Sequence, residues 1–261
     1  DKFKEAEALH RESLAMKRQL FPDPHPQLAA GINNVAYDLE MRGDYRGAER
    51  AYRESLEMYR KAYRGDHPDI ATAMSNLAFV LDARGNRREA IAKLRESVAM
   101  RRRILGAEHP DIAGGDTSLA YWLTSTGELV EAEGLLEEAL AIRRKALGAE
   151  HPRVGATLAT QANLFVAERR FADALETSTE ALRILRLNLP EEHWQVAMAR
   201  NVQGAALAGL KRYVEAEKLL LASLPSLAGS PIHDLPARGR ERLAALYAAW
   251  GRPEDAAKYA P

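Results

Sequence analysis

Histidine is the residue type with the clearest potential for chemistry in this chain, and six of its seven histidines recur at a regular interval. The first five are spaced 42 residues apart, and the sixth follows the fifth after 40 residues: His25, His67, His109, His151, His193 and His233. Such a series could form a metal site or an acid–base array. Equivalent positions in stacked helical units, however, lie about 10 Å apart. Metal–nitrogen bonds are about 2 Å long, so the spacing predicts a structural residue that caps or packs beside a helix.

The remaining sequence has no pattern of catalytic residues. It lacks a phosphate-binding P-loop, a dinucleotide-binding glycine motif, a nucleophile elbow and a His-Glu-x-x-His zinc motif. Glu137 and Glu138 are neighbours on a predicted solvent-facing helix, not carboxylates opposed across a cleft. The chain has no cysteine, which excludes disulfides and thiolate zinc sites. We therefore expect a protein that is not an enzyme and that uses no metal or cofactor.

Composition narrows the class of partner. The chain is 46% hydrophobic and 28% charged, so it can bury a core. Lysine plus arginine equals aspartate plus glutamate, at 37 each, which argues against nucleic acid and membrane surfaces as partners. No apolar run approaches the roughly 20 residues of a membrane span, and no signal peptide opens the sequence. We expect a cytoplasmic location, and a chain that begins inside a repeat and is a fragment of a longer protein.

Small residues recur in step with the histidines. Counting each histidine as position 0, position 18 is glycine in the first three repeats (Gly43, Gly85, Gly127). Position 23 is alanine six times, and position 11 is alanine or glycine six times: Ala48, Ala90, Ala132, Ala174, Ala216 and Ala256; Ala36, Ala78, Ala120, Ala162, Gly204 and Ala244. Small side chains at fixed positions indicate places where helix axes approach to about 8–10 Å.

Each repeat is predicted to form two antiparallel helices. In the second repeat, Pro68 suits the first turn of a helix, and the apolar residues from Ile70 to Leu81 follow a helical spacing. Gly85 is expected to end that helix and Gly106 the next one. The predicted fold is therefore all-α, a right-handed α-solenoid of helix pairs.

The pattern carries a family resemblance. The order of apolar, small, glycine and alanine positions resembles the tetratricopeptide repeat, whose usual unit has about 34 residues. The 42-residue form, with Ser75–Ala78 (SNLA) and Ile32–Ala36 (INNVA), resembles the repeats of kinesin light chains. The tail from Leu243 to Tyr259 resembles the C-terminal arrays of bacterial serine/threonine protein kinases.

That resemblance implies one solenoid over residues 1–261. It would comprise a half repeat and connector (1–24), five full repeats (25–66, 67–108, 109–150, 151–192, 193–232) and a short terminal hairpin (233–261).

The resemblance also implies a binding groove, because the first helices of this family line the concave side. Positions 8, 9 and 12 of those helices then supply an amide, hydroxyl and aromatic surface for a peptide. The residues carried over are Asn33, Asn34, Tyr37, Ser75, Asn76, Phe79, Thr117, Ser118, Tyr121, Thr160, Asn163 and Asn201. The other possibility for Tyr37, Phe79 and Tyr121 is ordinary packing between first helices.

We expect the function to be protein–protein interaction, with a peptide or partner segment in this groove. If the parent is a bacterial kinase, the array would recruit substrates or regulate the enzyme. Two other functions remain open at this point, a self-association module and a small-ligand sensor of a bacterial signalling protein.

Overall fold

The computed structural model describes residues 2–260, and side chains from residue 5 onward. This part of the chain contains thirteen helices and no strand, which confirms the predicted all-α class. The helices are α1 (Lys2–Leu20), α2 (Pro26–Met41), α3 (Tyr45–Ala62), α4 (Pro68–Ala83), α5 (Arg87–Leu105), α6 (Pro110–Thr126), α7 (Leu129–Leu147), α8 (Pro152–Ala167), α9 (Phe171–Asn188), α10 (Trp194–Gly209), α11 (Tyr213–Leu227), α12 (Leu235–Ala249) and α13 (Pro253–Ala257).

The packing of the chain divides it into two compact units. One ends at Gly115 and the other begins at Asp116, so the boundary falls inside α6. We call them the N-terminal half and the C-terminal half. The sequence predicts a single solenoid with fixed repeat boundaries, and that organisation stays a prediction.

The recurring histidines cap the first helix of each repeat. The Nδ1 atom accepts a hydrogen bond from the backbone N–H two residues later at His25, His67, His109, His151 and His193, at 3.1–3.2 Å. This bond satisfies one of the backbone donors that a helix leaves unpaired at its start. The structural interpretation of the histidine series is confirmed.

The small residues lie where helices touch. Within the hairpins α2–α3, α4–α5, α8–α9 and α10–α11, first and second helices pack along their length. The alanines at position 23 are fully buried in all five repeats, as are those at position 11 in the first four. At Gly204, an added Cβ would lie 2.8 Å from a side-chain carbon of Leu220. The predicted role of these residues in close packing is therefore confirmed.

The turn inside each hairpin needs a left-handed residue at position 18. Gly43, Gly85 and Gly127 have φ of 79°, 81° and 86°. The fourth and fifth repeats have Arg169 and Lys211 at this position, with φ of 61° and 62°. Since a side chain disfavours this region, these two repeats keep the turn at an energetic cost.

Arginine–glutamate pairs connect a first helix to the second helix of the preceding repeat. Arg42 pairs with Glu7 and Arg84 with Glu49. In both pairs the partners are 35 residues apart in sequence. The same contact therefore recurs at two junctions between repeats. Arg252 lies 3.0 Å from Glu217, but it precedes the second helix α13 and so makes this bond from a different position.

Candidate protein-interaction surface

Two aromatic rings are exposed on the first helices of the N-terminal half. Tyr37 on α2 is 52% exposed and Phe79 on α4 is 44% exposed. Both occupy position 12 of their repeats, one repeat apart. Large apolar side chains are usually buried in a folded chain, so a pair of exposed rings at equivalent positions marks a surface suited to a partner.

An amide pair lies on the same two helices. The side-chain Nδ2 of Asn76 donates to Oδ1 of Asn33 at 3.2 Å. Both residues are partly exposed, and Asn34 is exposed. Because an amide group carries a donor and an acceptor, each of the paired side chains has a further polar group to offer. We call Asn33, Asn34, Tyr37, Asn76 and Phe79 the α2–α4 surface.

Two of the residues at position 8 point into their hairpins, whereas Asn33 at the same position is partly exposed. Ser75 is buried, and its Oγ lies 2.8 Å from Oγ of Ser97 on α5, which also lies 2.6 Å from the carbonyl oxygen of Ala71. Asn201 is fully buried and donates from Nδ2 to Oγ of Ser223 on α11 at 2.9 Å. These two predicted groove residues hold first and second helices together, because a short polar side chain at position 8 reaches the serine at position 30.

The hydroxyl residues of the predicted set are also largely enclosed. Thr117 and Ser118 on α6 are partly buried, and Thr160 on α8 is buried. The Thr160 hydroxyl donates to the carbonyl oxygen of Ala156 in its own helix at 3.1 Å. A hydroxyl that is bonded within its helix has less capacity for a partner.

In the C-terminal half, three of the predicted groove residues contact α12 or the residue that precedes it. Tyr121 is 5% exposed, and its hydroxyl donates to Oδ1 of Asp234 at 3.0 Å. The guanidinium of Arg238 stacks on the Tyr121 ring, with its carbon 4.7 Å from the ring centroid. Burial raises the pKa of the Tyr121 hydroxyl, so the ring stays neutral at physiological pH.

Arg242 of α12 completes this contact. Its guanidinium donates to Oδ1 of Asn201 at 2.7 Å and to Oδ1 of Asn163. Asn163 is 5% exposed and Asn201 is fully buried. Burial lowers the pKa of Arg242 to about 10, so it remains charged at physiological pH.

Asp234, Arg238 and Arg242 are not among the residues predicted from the sequence, although their spacing of four residues is typical of one helix face.

We call Tyr121, Asn163 and Asn201, which these three residues contact, the amide–tyrosine surface.

The part of the chain that the structure describes contains no cluster of side chains suited to a metal ion. Among the described residues, no three histidine, aspartate or glutamate side chains are placed to hold an ion. The described helices also include none that is long and apolar enough to cross a membrane.

Comparison with known families matches a tetratricopeptide repeat model over residues 1–61, 27–103 and 111–186, more than half of the chain. The chain belongs to the tetratricopeptide repeat family. This fold generally mediates protein–protein interaction, and its members are generally non-enzymatic. A comparison with curated proteins finds no match to this tetratricopeptide repeat chain.

Several solved structures share the fold. BtubC (BKLC) from P. vanneervenii is 22% identical, with 88% of this chain and 92% of that chain covered and a TM-score of 0.69. A putative kinesin light chain from Podospora anserina, with nearly identical TPR-like repeats, is 25% identical over 78% of this chain and 97% of that one, with a TM-score of 0.63. The structure of the APC/C hetero-tetramer Cut9–Hcn1 matches at 18% identity over 96% of this chain and 43% of that one, also with a TM-score of 0.63. The predicted resemblance to kinesin-light-chain-like repeats is confirmed.

Proposed function

We propose that this protein is a non-catalytic scaffold whose α2–α4 surface binds a peptide or a segment of a partner protein. The observation that carries the proposal is the exposure of Tyr37 and Phe79 at equivalent positions of adjacent repeats. Tyr121 occupies the same position in the next repeat but is buried against α12. Binding is therefore assigned to the N-terminal half.

The chemistry of the α2–α4 surface fits a polypeptide ligand. An aromatic side chain presents about 150–250 Å² of surface, and burial of apolar area is worth about 25 cal/mol per Å². The amides of Asn33, Asn34 and Asn76 can donate to and accept from the backbone of a segment that lies along the helices. Rings would then supply affinity and amides would orient the chain.

The resemblance of residues 243–259 to kinase C-terminal arrays supports a more specific form of the proposal. In that form, the scaffold is an arm of a bacterial serine/threonine kinase that recruits substrates or regulates the enzyme. A cytoplasmic location follows from the same proposal.

A peptide array followed by titration tests the α2–α4 surface. We expect the Tyr37→Ala/Phe79→Ala variant to bind captured peptides at least about tenfold more weakly, because two rings leave the contact. The matched control is Val130→Ala/Val214→Ala, which shortens two side chains that are 89% and 69% exposed in the other half. Equal capture by the parent and by the ring variant would contradict the proposal.

Self-association is a second candidate, and the exposure of apolar residues on α1 favours it. Leu9 is 65%, Met16 53% and Leu20 73% exposed. In the second and fourth full repeats the residues equivalent to Met16 are buried, with Met100 and Ile184 at 7% and 0% exposure. Sedimentation equilibrium over a range of concentrations separates the two functions, since the scaffold proposal predicts constant mass and self-association predicts mass that rises with concentration.

A further inference from the structure

The contact between α12 and the amide–tyrosine surface has the composition of a recognition site for arginine. Two neutral amide oxygens accept from the guanidinium of Arg242, and a tyrosine ring stacks under the guanidinium of Arg238. Planar guanidinium groups are suited to both arrangements. All three residues of the amide–tyrosine surface are neutral, so this surface offers the arginines no carboxylate.

The three α12 contacts form one pattern along the chain. Asp234, Arg238 and Arg242 are each four residues apart, and all three contact the amide–tyrosine surface. Asp234 also accepts from Nε of Arg238 at 3.0 Å. Leu243, Leu246 and Tyr247 of α12 pack in a core cluster with Leu207 and Leu220. The helix therefore presents arginines to one set of residues and leucines to another.

We propose that the amide–tyrosine surface is a binding site for a partner helix with an acidic residue and two arginines at four-residue intervals, and that α12 occupies it as an intrachain ligand. This proposal concerns residues other than the α2–α4 surface and does not depend on the function assigned there. It makes α12 an internal competitor, which blocks this site until a partner helix replaces it.

The guanidinium–amide bonds of this contact, as distinct from the leucine packing of α12, favour exchange over permanent closure. A guanidinium that leaves water for neutral amides loses solvation without gaining an ion pair, so its net stabilisation of the fold is small. Burial also lowers the pKa of Arg242. A partner helix with the same pattern would form the same bonds, at an apparent affinity reduced by the fraction of chains in which α12 is bound.

A peptide of residues 232–250 serves as the probe of the site. The full chain has no cysteine, so the peptide can carry the only thiol-linked fluorophore in an anisotropy titration. We expect weak binding to the parent chain, because α12 competes at a high effective concentration. We expect binding at least about tenfold tighter to the Arg242→Ala chain, whose internal helix has lost its bond to Asn163 and Asn201.

Three controls make the result specific. A peptide with Arg238→Ala and Arg242→Ala should not bind, whereas a peptide with Arg240→Ala should bind like the original, since Arg240 is exposed. The Asn163→Ala/Arg242→Ala chain should lose the gain in affinity. Arg238→Ala, which removes the stacking contact on Tyr121 and the bond to Asp234, provides a second opened chain should Arg242→Ala fail to show a parent-like circular dichroism spectrum.

Two outcomes would overturn the proposal. One is equal binding of the original peptide and the peptide without the two arginines to both opened chains. The other is a stable dimer of the opened chains with no peptide bound, which would assign the site to α12 of a second copy. A failure of peptide binding at the α2–α4 surface would not change either outcome. The proposal for that surface and the proposal for the amide–tyrosine surface can therefore fail independently.

Discussion

At the scale of single residues, the histidine at position 0 shows how a reactive side chain can serve a structural purpose. Its Nδ1 accepts from the backbone in five repeats. This hydrogen bond fixes the imidazole ring against the first turn of the helix. Asparagine, aspartate and serine usually occupy this place, so histidine is a substitute that the repeat uses consistently.

Replacement of His151 tests this capping role. His151→Ala should lower the free energy of unfolding by about 1 kcal/mol, because one backbone N–H of α8 loses its acceptor. His151→Asn should retain the parent stability, since asparagine accepts the same bond. Urea unfolding curves of the three proteins measure the difference, and equal curves for alanine and asparagine would refute the cap.

At the scale of helices and turns, the fourth and fifth repeats depart from the pattern at position 18. A left-handed conformation costs a residue with a side chain about 1–2 kcal/mol, whereas glycine pays about 0.5–1 kcal/mol in lost backbone freedom. We expect Arg169→Gly and Lys211→Gly together to raise the free energy of unfolding by about 1 kcal/mol. Lys218→Gly, in the middle of α11, is the control and should lower it by about 1 kcal/mol. Thermal unfolding of the three chains decides the sign.

Close packing of the hairpin α4–α5 makes a second prediction at this scale. Ala90 is fully buried, so Ala90→Leu should lower the free energy of unfolding by roughly 1–3 kcal/mol through overpacking. Ala92→Leu, at an exposed site on the same helix, should change it by less than about 0.5 kcal/mol. A melting temperature for Ala90→Leu equal to that of the parent would exclude the stacking model.

The elements could be predicted from sequence because their determinants repeat. Ala78 and Ala90 recur at fixed positions, so their burial followed from the pattern alone. The placement of Ser75 and Asn201 inside hairpins could also have been found, since Ser55, Ser97 and Ser223 recur at position 30 and provide a bonding partner. The α12 contact could not, because Tyr121 and Asp234 are 113 residues apart. A periodic pattern specifies adjacent helices and contains nothing about a contact at that separation.

At the scale of the whole molecule, buried tyrosines predict sensitivity to alkali. Burial raises the pKa of Tyr59 to about 12, and burial together with a bond to Asp69 raises the pKa of Tyr63 to about 12. An unfolded chain loses these protons near pH 10, so the folded state holds more protons between pH 10 and 12. Stability is therefore complete below about pH 10 and decreases as the pH rises toward about 12.

Denaturant unfolding at about pH 9 and about pH 11 measures this loss, with tyrosinate absorbance as an independent signal. Tyr59→Phe should reduce the difference between the two values, because phenylalanine has no proton to lose. An unchanged difference would assign the alkaline sensitivity to other groups.

The arginine–glutamate pairs between repeats have a consequence for how such a chain can change in length. Glu7 and Arg42 are as far apart in sequence as Glu49 and Arg84. Excision of residues 25–66 would place Glu7 at that same separation from Arg84. The shortened chain could therefore form the same ion pair at its new junction. Duplication of the segment would create one more junction of the same kind. Deletion or duplication of residues 25–66 therefore preserves charge complementarity at the new boundary.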